Sequence, residues 1–165
     1  MALFRRTAVP DVVKAVLLPA GERRVAWALT PDGQAVVAAT RALHLPAGAV
    51  LGWDEIERAQ WDKPVLRLVE LTEHEGSGRR HEVALDLDHD TDLPEAVRAR
   101  VSASVAWSSH VKLQPKGGVR IVGRRRPGME VLDWQLVFDR DTDPADPALR
   151  AQAEEHLTAA RRTIG

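Results

Sequence analysis

The densest cluster of chemistry-bearing side chains in the sequence is Asp86, Asp88, His89, Asp90 and Asp92, with His81 just upstream. Hard divalent cations take several carboxylate oxygens, and acids at alternate positions can supply them. The chemistry would be that of a small metal-dependent hydrolase built on the Asp86-Asp92 cluster. The calcium-loop pattern fails, however, because no glycine stands at its sixth position and Pro94 interrupts it. The plainer expectation is a solvated connection whose acids favour a following helix N-terminus, with no metal and no cofactor.

Other catalytic patterns are absent from the sequence. The histidines at 44, 74, 81, 89, 110 and 156 form no HxH, HxxxH or HExxH spacing. Ser108-Ser109-His110 lacks the GxSxG elbow that exposes a nucleophilic serine. Gly117 and Gly118 precede a strand pattern, so Lys116-Gly117-Gly118 is a turn and not a phosphate cradle, which needs a helix after it. With no cysteine, thiolate zinc sites, CxxC redox centres and cysteine nucleophiles are excluded. The expectation is a chain that is not an enzyme.

Two groups of residues suit binding instead. Arg120, Arg124, Arg125 and Arg126 run along one strand and its turn, a candidate surface for anions or nucleic acid. Arg79-Arg80 and Arg161-Arg162 would extend it. No aromatics interleave with these arginines to stack bases. The net charge of -1, from 23 basic and 24 acidic residues, gives no general attraction to nucleic acid or to an anionic membrane. Nucleic acid is therefore the secondary expectation, and charge on a solvated hairpin explains the run. Of five tryptophans, Trp27, Trp53 and Trp134 fall at inward strand positions and read as core. Trp61 and Trp107, at predicted element ends, form a candidate partner surface.

The elements that position these residues follow from periodicity and turn chemistry. Residues 10 to 18 suit a short helix, with Pro10 and Asp11 at its start and Pro19 and Gly21 at its end. Strands are predicted over 24–30 and 34–39, joined by the turn Pro31-Asp32-Gly33. Further strands are predicted over 42–45, over 52–60 with a bend, over 65–71 and over 81–87, with a turn at Glu75 to Gly78. The period then changes. Leu93, Val97, Val101 and Val105 recur every four residues, which predicts a helix from Asp92, its N-cap, to about Ser108. Glu95 would complete a capping box. A ββα unit is predicted next: strands over 118–124 and 131–138, then a helix opened by Asp146 and Pro147.

Composition fits one domain over residues 1–165. With 44% hydrophobic and 28% charged residues, the chain is ordinary globular material and long enough to need no staple. No segment approaches the roughly 20 apolar residues of a membrane helix. No signal sequence is evident at the start, so the cytoplasm is the expected compartment.

Gly21 to Trp27, the hairpin through Val36 to Leu43, and Leu51 to Ile56 give a strand series that one helix closes. Over residues 20 to about 110 this order resembles the bacterial pleckstrin-homology-like domains. The whole chain is similar to actinobacterial-type proteins. The resemblance implies an α+β fold with a partly open antiparallel barrel capped by a helix, and residues 117–164 would be an appended ββα element. The family's functions vary, and it carries no site residues over to this chain. The leading expectation is a non-enzymatic interaction module whose partner is a protein or a second copy.

Overall fold

A computed structural model describes residues 8–71, 81–88 and 91–164. The chain opens with helix α1 (Asp11–Lys14), followed by strands β1 (Arg24–Leu29), β2 (Ala35–Ala39), β3 (Ala42–His44) and β4 (Val50–Gly52). These strands form one antiparallel sheet in sequence order. The Pro31-Asp32-Gly33 turn is present. Gly33 takes a φ of 82°, a conformation that favours glycine. The Asp32 carboxylate accepts from the Thr30 hydroxyl and the Gln34 side-chain amide. Those bonds, the Thr30 one foremost, hold Asp32 below its ordinary pKa.

Every residue of β2 is buried. Val36 and Ala38 face the main core, whereas Ala35 and Val37 point the other way. A strand buried on both faces needs cover on both. Val9, Val13, Val16 and Leu18 provide the second cover. The helix expected over residues 10 to 18 is only four residues long. β-branched Val12, Val13 and Val16 are poor helix formers, and the segment spreads over the sheet instead of adding a second turn.

The strand with a bend expected over 52–60 resolves into two. β4 stops at Gly52, a 3₁₀ turn spans Trp53–Glu55, and β5 (Ile56–Asp62) follows. Glu55 closes the turn by accepting the Gly52 N–H at 2.7 Å. β5 pairs with β6 (Val65–Glu70), and β6 with β7 (Glu82–Asp86), in a second antiparallel sheet. The main core forms between the two sheets from Val36, Ala38, Leu43, Trp53, Ile56, Leu66, Leu68 and Leu87. Trp53 links the sheets directly, its indole N–H donating to the Ala39 carbonyl at 3.1 Å.

Helix α2 (Leu93–Ser104) closes this core with Leu93, Val97 and Val101. Its cap differs from expectation. Asp92 makes no side-chain cap bond. The Thr91 hydroxyl accepts the Leu93 N–H at 3.1 Å and donates to the Trp27 carbonyl at 2.9 Å. One side chain thus starts the helix and anchors it to β1. The helix also stops at Ser104, four residues before its expected end, because Val105 begins strand β8 (Val105–Lys112). Val105-Ala-Trp-Ser-Ser-His-Val has the alternation of a strand, and the spacing of four from Val101 to Val105 is shared by chance with the helix stripe.

The C-terminal element is therefore βββα and not ββα. β8, β9 (Gly118–Arg125) and β10 (Leu132–Phe138) form a third antiparallel sheet, in the order β10-β9-β8. Helix α3 (Pro147–Ile164) begins as predicted, with Asp146 accepting the Ala148 and Leu149 N–H groups. Leu149 and Ala153 pack on Leu113 and Val119, with Val111, Leu136 and Phe138 around them. The architecture is α+β with three antiparallel sheets, and they do not close into a single barrel. No described helix is long and apolar enough to cross a membrane.

Candidate functional site

A groove of about 610 Å³ opens where the third sheet meets the 3₁₀ turn at 53–55. Asp54 and Glu55 form one wall, the hairpin residues Arg126 and Val131 to Gln135 another, and Leu71 and Arg161 complete the rim. These residues come from four separate parts of the chain, so packing between elements builds the groove.

The walls are joined by an ionic bridge. Asp54 has a side chain only 9% exposed, and a carboxylate at that depth needs a cation. Arg126 provides it, its Nε donating to Asp54 Oδ2 at 3.2 Å. The same Nε lies 2.6 Å from Asp133 Oδ2, an ion-pair contact without hydrogen-bond geometry. The Asp133 charge, then the bond to Asp54, raises the Arg126 pKa. Beside it, Gln135 Nε2 donates to the Asp54 carbonyl at 3.3 Å.

Arg124 anchors the sheet behind this bridge. Its guanidinium is buried and forks to three acceptors: Ser104 Oγ at 2.8 Å, Gln135 Oε1 at 3.1 Å and the Glu57 carbonyl at 3.3 Å. Burial lowers its pKa, while the charges of Glu57 and Asp54 oppose that shift. The side chain therefore ties β9 to β5 and to the end of α2, and it presents no free donor face.

The apolar floor is set by the third sheet. Trp107, Gly123 and Trp134 lie side by side in register across β8, β9 and β10. A side chain at Gly123 would begin 3.1 Å from Leu132 and 3.3 Å from the Trp134 ring. The glycine thus leaves room for the indoles of Trp107 and Trp134 to pack with centroids 5.5 Å apart, tilted by 59°. Trp134 lines the groove together with Leu132 and Val131. Val131 is 72% exposed.

The residues singled out in the sequence take the following places. Arg120 and Arg125 are exposed and lie on opposite faces of β9, Arg124 is buried between elements, and Arg126 is bridged to two acids. The four do not form one cationic surface. Arg161 reaches the groove, while Arg79 and Arg80 lie outside the described residues. Trp61 packs half-buried on the main core and Trp107 packs on Trp134; neither lines the groove. Trp27 and Trp134 are half-buried, and Trp53 is the fully buried one.

Asp86 ends β7, Asp88 donates its backbone N–H to the Leu29 carbonyl, and Asp92 precedes α2. His89 and Asp90 lie outside the described residues, as do His74 and the turn expected at Glu75 to Gly78. Among the described residues no three His, Asp or Glu side chains converge as a ligand set. His81 pairs with Glu70 at 3.1 Å, and His110 with Asp139 at 2.8 Å. His44 is buried against Glu22 at 3.2 Å, and Glu22 also accepts the Arg41 N–H. His156 is exposed on α3. Gly117 sits in the β8–β9 turn and Gly118 opens β9, its N–H donating to Thr142 Oγ1.

Comparison with protein-family models, with curated proteins and with solved structures finds no match to this chain. The groove must therefore be read from its own chemistry.

Proposed function

We propose that the chain is a non-enzymatic binding module with a pleckstrin-homology-like core, and that its groove receives an extended segment of a protein partner. The order of elements supports the first half of this reading: a four-stranded sheet, a three-stranded sheet, then a helix over the core between them. The single observation that carries the second half is the lining of the groove. Exposed Val131 lines it with Leu132 and Trp134, alongside three carboxylates and two guanidiniums. Apolar anchors combined with a few polar groups are the composition of a protein-binding site. A nucleic-acid site would need several cations free to meet successive phosphates, and here Arg126 is already held by Asp54 and Asp133.

The test is selection of a random dodecapeptide library, displayed on phage, against the full chain and against its Val131→Asp variant. Peptides that share a consensus and are retained only by the unsubstituted chain are the expected result. Either no enriched consensus, or one retained equally by Val131→Asp, would overturn the reading. Circular dichroism of the variant, expected unchanged because Val131 is exposed, guards against misfolding.

A further inference from the structure

The charged groups in the groove differ in whether they already have partners. Asp54 and Asp133 both contact Arg126, and Glu55 accepts the Gly52 N–H. Arg161 is different. It lies in the last turn of α3 at the groove rim and is exposed, and its side chain has no ion pair or hydrogen bond among the described residues. Neighbouring Arg162 carries the same charge on the same turn but does not line the groove.

We infer that the segment bound in the groove is acidic and apolar together: a carboxylate pairs with Arg161 while an adjacent apolar side chain packs on Val131, Leu132 and Trp134. The inference rests on the groove being the binding site. A guanidinium is suited to this task because its planar fork takes a carboxylate through two parallel hydrogen bonds. The groove's own acids do not compete for it, since each is held by Arg126 or by the turn at Gly52. Charge-assisted pairing beside a desolvating apolar contact is stronger than the same pair in open water, which is why the two features belong to one ligand.

The consensus from the peptide selection tests this directly. Asp or Glu next to a Leu, Ile, Val or Phe is expected; a Lys- or Arg-rich consensus, or one with no acid, overturns the inference while leaving the groove as the site. The enriched peptide, synthesised with a fluorescein label, is then titrated by fluorescence anisotropy against the full chain. Arg161→Glu should weaken binding by roughly tenfold or more, the scale of one lost charge-assisted hydrogen bond. Arg162→Glu, an equal change in net charge, should leave affinity within about twofold. Equal losses in the two variants, or none in either, would also overturn it. If Val131→Asp does not affect binding, the proposed function fails too, and the two failures are thereby distinguished.

Discussion

Arg124 is 4% exposed, and a guanidinium at that depth must place its donors on fixed acceptors or stay unfolded. It finds them on three elements, and their geometry suits only a fork. Arg124→Met should therefore cost about 3 kcal/mol, since Ser104 and Gln135 lose their partner in a buried site. Arg124→Lys should recover little of that, because one ammonium cannot reach three separated acceptors. Urea unfolding of both variants checks this, and a loss under about 1 kcal/mol in either would refute it. In the sequence, Arg124 stands among Arg120, Arg125 and Arg126 with nothing local to mark it. Strand phase puts Arg120 and Arg124 on the same face, yet one is exposed and the other buried. What differs is the cover over each, which comes from residues 54–57 and 104, distant in the chain. The groove was hidden for the same reason: Asp54, Arg126 and Arg161 meet only after folding.

At the level of elements, local signals were enough wherever one stretch of sequence decided the outcome. Pro31-Asp32-Gly33 gave its turn, Asp146 its cap, and the alternation of Val83, Leu85 and Leu87 its strand. Two periods compete where α2 gives way to β8. Val101 and Val105 continue the helix spacing, but Trp107, Ser109 and Val111 face one side of a sheet, and pairing with β9 wins. Thr91 replaced Asp92 as the cap because its hydroxyl can bond Trp27 as well, a contact 64 residues away. The first turn also carries a pH-dependent contribution. Asp32 has its pKa lowered by folding, so the stability it adds is complete above the ordinary carboxylate value of 3.8 and is lost as pH falls through the folded value. The melting temperature of Asp32→Asn should therefore lie below that of the unsubstituted chain at neutral pH, and the two should converge as pH drops below about 4. A gap that widens in acid would contradict this sign.

At the scale of the whole molecule, the question is whether the third sheet and α3 form a detachable unit. β8 leaves α2 without a linker, Val105 following Ser104 directly. A chain ending at Gln114 would keep β8 but remove β9, its partner along the full strand. It would also remove Arg124 from Ser104 and the Glu57 carbonyl, and Arg126 from Asp54. Asp54 would lose both Arg126 and Gln135, the side chains that hold it against the third sheet. Trp107 would lose Trp134, exposing an indole on an unpaired strand edge, a template for aggregation. A domain of this size has only about 5–15 kcal/mol to spare. The fragment 1–114 should therefore be poorly soluble, or should melt well below the full chain with a broadened transition. Differential scanning calorimetry of both distinguishes the cases. A fragment that unfolds cooperatively at the full chain's temperature would mean that the bridge through Arg124 and Arg126 joins two independent bodies. The groove between them would then depend on how those bodies meet, and Val131→Asp and Arg126→Ala would shift peptide binding without any change in melting.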